Sequence, residues 1–285
     1  GTKIELGNAP QFGGTLDVNR LHFADIDGSG TMDFIYLFPD RIEVYFNQSG
    51  NQFSAPTVMP LPRFYDDLCQ VNFMDVRGNG TTCMVLSKTH PDVEHYFIDF
   101  CRKNKPYLLD LTDNNMGLRT RLHYSSTVQQ YLRDKRNGRL WATRLFFPVH
   151  VVTRIETREY FNKSRYVQRF AYHDGYYDPV EREFRGFGFT ESWDTDHYEK
   201  FTPAEDIPGW DVTPVDKALH VWPTYTKSWF HTGAYEENAL VLRQYHQEFW
   251  HGDAGAFPHL RSTLGPEVLM ADGDTYREAF VALAG

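Results

Sequence analysis

The chain has 285 residues with 29 Lys+Arg against 38 Asp+Glu, a net charge of −9, and 41% of its residues are apolar. That apolar share supports a sizeable core and excludes disorder. The acidic balance argues against a nucleic-acid binder, which needs clustered Lys and Arg to neutralise phosphates, and no apolar run reaches the roughly 20 residues that span a bilayer.

Aromatic residues stand at 16%, with 17 Tyr and 22 Phe, which favours β-rich packing over helical bundles. The first signal along the chain is an internal repeat. FADIDGSGTMDFIYL (23–37) and FMDVRGNGTTCMVLS (73–87) are related by a period of 50, with Phe23/Phe73, Asp25/Asp75, Gly28/Gly78, Gly30/Gly80 and Thr31/Thr81 in register. Each copy predicts a strand, a Gly-rich loop and a second strand. RIEVYFNQSG (41–50) and VEHYFIDF (93–100) add a third strand to each. Three strands per unit with turns between them describe two blades of a β-propeller. The cysteines, Cys69, Cys83 and Cys101, form no CxxC pair and read as thiols in strand cores.

From about residue 111 the texture changes. Residues 148–194 predict an antiparallel meander. In it Val149, Val151, Thr153 and Ile155 share one face, and Tyr166, Gln168, Phe170 and Tyr172 share another. Asp174-Gly175 is the strongest hairpin signal, and Gly186 and Gly188 mark bends or a bulge. TPAEDIPGWDVTP (202–214) reads as a loop. EENALVLRQYHQEFW (236–250) has helical spacing that gathers Leu240, Val241, Tyr245 and Phe249. A last helix is expected over 274–284, with Asp274 as its N-cap. The Arg-rich segment 118–145 reads as the solvated side of strands, or as a face for an acidic partner.

Asp25, Asp27, Ser29, Thr31 and Asp33 place oxygen donors at alternate positions, as a Ca²⁺ ion requires. Gly28 and Gly30 allow the sharp turning that points them inward. The alternative is a metal-free turn closed by Asx hydrogen bonds; no other cofactor is required. It is not an EF-hand, because Tyr36 stands where the bidentate Glu belongs. The second copy carries Arg77 and Cys83 in place of two acids, so it should not bind calcium, with Arg77 supplying the positive charge. His220, His231, His246, His251 and His259 match no zinc spacing. Asp174, Asp178, Glu181 and Glu183 are close enough in sequence to raise a hydrolase reading, but turn chemistry accounts for them. No nucleophile elbow or phosphate loop is present, so no catalytic residue is assigned and the chain is not expected to be an enzyme.

The first loop resembles those of FG-GAP or VCBS propeller repeats. Taken with FPVHVV, RFAYHDGYYDPVEREFRGFGFTESWD and KSWFHTGAY, the sequence resembles the middle region of the B component of bacterial insecticidal toxin complexes. It is similar in part to plasmid-virulence proteins of the Salmonella type. The resemblance implies a mainly β chain: propeller-like repeats over 1–110, an antiparallel meander of Rhs-shell type over 111–200, and a mixed loop and helix segment over 201–285. It also implies partners: an A component that forms the pore, and a C component whose cytotoxic segment the shell encloses. The implied function is structural, with the propeller as gate and the sheet as wall. The implied location is secreted, although GTKIELGNAP shows no signal peptide. The chain is much shorter than a whole B component and reads as a fragment or a reduced homologue. The alternative reading is a calcium-dependent adhesion or glycan-binding module using Trp193, Trp222 and Trp229.

Overall fold

The structure, a computed structural model, describes residues 7–10, 16–102, 105–162, 164–197, 218, 220–248, 252–255 and 264–284. The chain divides into two compact units, Gly1–Leu108 and Leu109–Gly285.

In the first unit, β1 (Leu21–Ala24), β2 (Asp33–Leu37), β3 (Arg41–Tyr45) and β6 (Thr57–Pro60) form an antiparallel sheet in that order. A two-stranded ribbon, β4 (Asn47–Gln48) and β5 (Gln52–Phe53), lies between β3 and β6 in sequence. A second antiparallel sheet follows from β7 (Cys69–Met74), β8 (Cys83–Lys88) and β9 (Glu94–Asp99). The 50-residue period survives in the pairing: the first hairpin closes on Ala24↔Asp33 and the second on Met74↔Cys83. Alternation then sets the core. Ile35, Leu37, Ile42 and Val44 of the first sheet join Cys69, Met84 and Leu86 of the second in one apolar cluster, with Ile26 and Tyr65. Each such aliphatic side chain contributes roughly 1.5–3 kcal/mol by leaving water. All three cysteines are free thiols, with Cys69 and Cys83 buried.

The second unit is a six-stranded meander: β10 (Leu111–Asp113), β11 (Leu118–Ser126), β12 (His150–Glu159), β13 (Ser164–Asp178), β14 (Glu183–Trp193) and β15 (Tyr225–Trp229). Helix α1 (Thr127–Arg136) follows β11 directly, where strands were expected. Ser126 and Gln129 close a capping box at its start, satisfying two orphan N–H groups of the first turn. The helix goes unnoticed in the periodicity because the residues it buries are polar: Thr127, Gln130 and Asp134.

Further expectations change. Asp174-Gly175 is not a hairpin turn, since β13 runs through it to Asp178. Asp174 has a φ of +54° inside the strand. The register shifts beyond it, between Gly175 and Tyr177, where β14 carries one more residue than β13 beside Gly186 at φ +89°, so the bulge belongs to β14. The turn lies at residues 179–182, where Asp178 accepts from the N–H groups of Val180 and Glu181. A second bulge skips Thr153 in the β11–β12 register. The expected face Val149–Val151–Thr153–Ile155 is therefore not continuous: burial passes from Val151 to Glu156 and Arg158. On β13 the buried face is Val167, Ala171 and His173, while Tyr166 and Gln168 are exposed.

Helix α2 (Asn238–Glu248) buries Val241 and Tyr245 and leaves Leu240 exposed; Phe249 lies outside the described residues. Short α3 (Pro266–Leu269) precedes α4 (Gly273–Ala282). The N-cap of α4 is Asp272, not Asp274: its carboxylate accepts from Thr275 N–H at 2.8 Å. The loop expected over 202–214 lies outside the described residues. Among the described residues no helix is long and apolar enough to cross a membrane.

Candidate functional site

Among the described residues, each unit brings one constellation of chemical groups to the fore. In the first unit the loop between β1 and β2 draws Asp25, Asp27 and Asp33 together, each offering a carboxylate oxygen within 4.8 Å of the others. Backbone N–H groups hold them there. Gly30 donates to Asp25 at 2.9 Å, Ser29 to Asp27 at 2.9 Å, and Ile26 and Asn47 donate to the two oxygens of Asp33. Gly28 and Gly30 take positive φ, which turns those amides inward. Burial, opposed by its two backbone hydrogen bonds, raises the pKa of Asp33, and the charges of Asp27 and Asp25 add to the rise. One Asp25 oxygen, Oδ1, is buried without a hydrogen-bond partner. Ser29 and Thr31 turn their hydroxyls to each other at 3.0 Å, and Thr31 also donates to the Asn47 carbonyl. The charge of Asp27 raises the pKa of the Tyr107 hydroxyl. Three clustered carboxylates fit a hard cation by donor chemistry.

The second copy repeats the mechanics with one acid, Asp75, in place of three. Asp75 accepts from Gly80 at 2.7 Å, as Asp25 does from Gly30, and also takes the Arg77 and Asn79 N–H groups. Asn79 closes the turn onto Thr81. The Arg77 guanidinium pairs with Asp99 of β9 at 2.6 Å. It neutralises a strand carboxylate and stands over the Phe97 ring.

In the second unit a pocket of about 320 Å³ is lined by Arg133, Asp134, Arg139, His173, Glu191 and Glu248, among others. Asp134, on α1, accepts from Arg133 at 2.8 Å, from Trp141 Nε1 at 2.7 Å and from His173 Nδ1 at 2.6 Å. Burial alone would raise its pKa; these donors outweigh it and hold the carboxyl at about 2. His173 Nε2 meets Glu191 at 3.1 Å, and the Tyr225 hydroxyl donates to the other oxygen of Glu191. Burial pushes the imidazole pKa down, but the two carboxylates carry it above the usual value. Arg139 ties the wall together, reaching Asp174 at 2.6 Å and Glu248 at 2.8 Å. Sequence reasoning missed this network because it draws single residues from α1, β13, β14, β15 and α2. The one available signal was the capping box, which would have placed Asp134 on a helix.

The family model for the middle/N-terminal region of the insecticide toxin TcdB matches residues 47–206. This chain belongs to that family. The match takes in Asp134, His173 and Glu191 and leaves the Asp25–Asp33 loop outside it. Among solved structures, the chain resembles TcdB2-TccC3-Cdc42 with a TM-score of 0.80 and 27% identity over 99% of its length. It resembles TcdB2-TccC3 without the hypervariable C-terminal region at 0.79, with 28% identity over 99%. A Photorhabdus luminescens Tc holotoxin pore matches at 0.74, with 28% identity over 94%. The chain spans 13% of the length of the first two of these structures and 12% of the third. Among curated proteins none matches.

The remaining sequence candidates fall apart in space or into packing roles. Glu181 pairs with Arg277, and Glu183 with Arg185, while Asp174 belongs to the Arg139 network and Asp178 to a turn. His251 and His259 lie outside the described residues, and no histidine joins a metal-competent cluster among those described. Trp193 stacks on Tyr225, and Trp229 stacks on Phe189 and donates to Glu248; Trp222 is exposed. From the Arg-rich segment, Arg119 faces Arg158, which faces Arg165 across the strands. Like charges in such a row repel. Glu156, beside that row, accepts from Arg158 at 2.5 Å and Arg165 at 3.0 Å.

Proposed function

We propose that this chain is a non-catalytic structural and translocation module of a secreted bacterial toxin complex. In this reading the first unit contributes blades to a propeller gate that docks on a pore-forming A component. The second contributes wall to a β-shell that, with a C component, encloses the cytotoxic cargo. The observation that supports it is the resemblance to TcdB2-TccC3 structures over 99% of the chain, together with the family match. The sheets suit a passive role: a paired backbone wall excludes solvent and proteases from an unfolded segment without any catalytic group. The same reading makes the Asp25–Asp27–Asp33 loop a calcium site that stiffens the first unit, supported by the clustered carboxylates and the unpartnered Asp25 oxygen.

Co-purification with an A component and, separately, with a C component tests the proposal. Capture by C through residues 109–285 and capture by A through residues 1–108 are the expected results. Binding to neither, by a chain that melts cooperatively, would overturn it and return weight to a glycan-binding module, which a glycan array with and without chelator would then examine.

A further inference from the structure

His173 is buried between two carboxylates that belong to different parts of the second unit. Its Nδ1 meets Asp134 of α1 and its Nε2 meets Glu191 of β14. Only the imidazolium carries a proton on both nitrogens, so both contacts are hydrogen bonds only in the charged form. Glu191 in turn receives the hydroxyl of Tyr225. Tyr225 opens β15, a strand whose one sheet neighbour among the described residues is β14.

The two carboxylates are unequally supported. Asp134 keeps Arg133, Trp141 and Arg139 as donors when the imidazole is neutral. Glu191 keeps the Tyr225 hydroxyl, with Lys227 nearby. The contact to Asp134 is the shorter, 2.6 Å against 3.1 Å, so the remaining proton of a neutral His173 stays on Nδ1 and the lone pair of Nε2 turns to Glu191. Other charged groups around the ring are Arg133 and Arg139 beside α1, Asp174 on β13, Lys227 on β15 and Glu248 on α2. Phe189 stacks on the ring at 4.8 Å.

We infer that the Asp134–His173–Glu191–Tyr225 chain is a pH-dependent latch on strand β15, closed while His173 is doubly protonated and loosened on the β15 side, not the α1 side, when it is not. The direction of the titration agrees with this. The closed state raises the imidazole pKa above 6.5. Its stabilisation is complete below about 6.5 and declines as pH rises through the higher, closed-state value.

Amide hydrogen exchange of the full chain between pH 6 and 9, corrected for intrinsic rates, tests the latch alongside a ¹⁵N-histidine titration of His173. Protection of residues 225–229 should fall about tenfold for each pH unit by which His173 titrates above 6.5, while α1 and strands β2 and β3 stay level. Glu191→Gln should make β15 protection independent of pH. Tyr225→Phe should shrink the pH effect on β15 while His173 still titrates high. Equal loss in α1 and β15, no loss in either, or titration of His173 at or below 6.5 would each overturn the inference.

Discussion

In the first unit the least exposed side chains are largely aliphatic: Ile35, Leu37, Ile42, Val44, Met84 and Leu86. In the second, Asp134, Glu156, Arg158, His173, Asp174 and Asp178 are buried among apolar residues such as Val167, Phe189, Tyr245 and Phe280. The difference separates two ways of specifying a sheet. Apolar burial is non-directional and tolerates any neighbour of suitable volume. Buried ions must each find a partner of opposite sign at hydrogen-bonding distance, and one missing partner strands the rest. The second unit is thus the more specified of the two and the more sensitive to single changes.

The sharpest break in that contrast is Asp134→Ala. It leaves the His173, Trp141 and Arg133 donors unmatched, and urea unfolding should report a loss of about 3–5 kcal/mol from the second unit alone. A loss below 1 kcal/mol would show that the network is not a stability element. Leu37→Ala, in the apolar core, should cost about 2–5 kcal/mol; unlike the first change, its cost should be the same at pH 5 and pH 8.

Acid offers a comparison without mutation. Asp134 is depressed to about 2 from 3.8, and Glu156 and Glu191 are also lowered. Depressed carboxylates stabilise above their unfolded values and lose that contribution as pH falls through the folded ones. Asp134 alone therefore withdraws roughly 2 kcal/mol from the second unit between about pH 4 and 2. Asp33 has the opposite sign: its pKa is raised, so protonation relieves the first unit. Exchange or fluorescence probes placed in each unit should show the second melting first as pH drops; the reverse order would contradict the assignment of charges.

Smaller effects divide the two copies of the repeat. Asp25→Ala should cost about 1–2 kcal/mol through its lost backbone hydrogen bond. Calcium should raise the melting temperature of the parent chain and leave Asp27→Ala unmoved. A calcium response in Asp27→Ala would instead indicate a site elsewhere. Smallest is Ser126→Ala, which removes the α1 cap for about 1 kcal/mol and should loosen exchange at residues 127–130.

Much of the first unit is legible in the sequence, because its repeat, its Gly-rich hairpins and its alternating aliphatics are local signals. The β12–β14 meander is legible for the same reason. Less is legible where a local signal has two structural uses. Asp174-Gly175 suits a left-handed backbone, and whether that becomes a turn or stays inside a strand depends on the strand paired beside it. Residues 127–136 carry a capping box, but their polar buried positions hide the helical period.

What the sequence determines by itself is what depends on spacing along the chain: the 50-residue repeat, the strand alternation and the acidic loop at Asp25–Asp33. The tertiary structure alone decides which polar side chains become a core. Arg139 meets Asp174 and Glu248 across separations of 35 and 109 residues, and His173 meets Asp134 across 39. No periodicity encodes such contacts, because a charge pair depends on distance and dielectric in space and is indifferent to distance along the backbone.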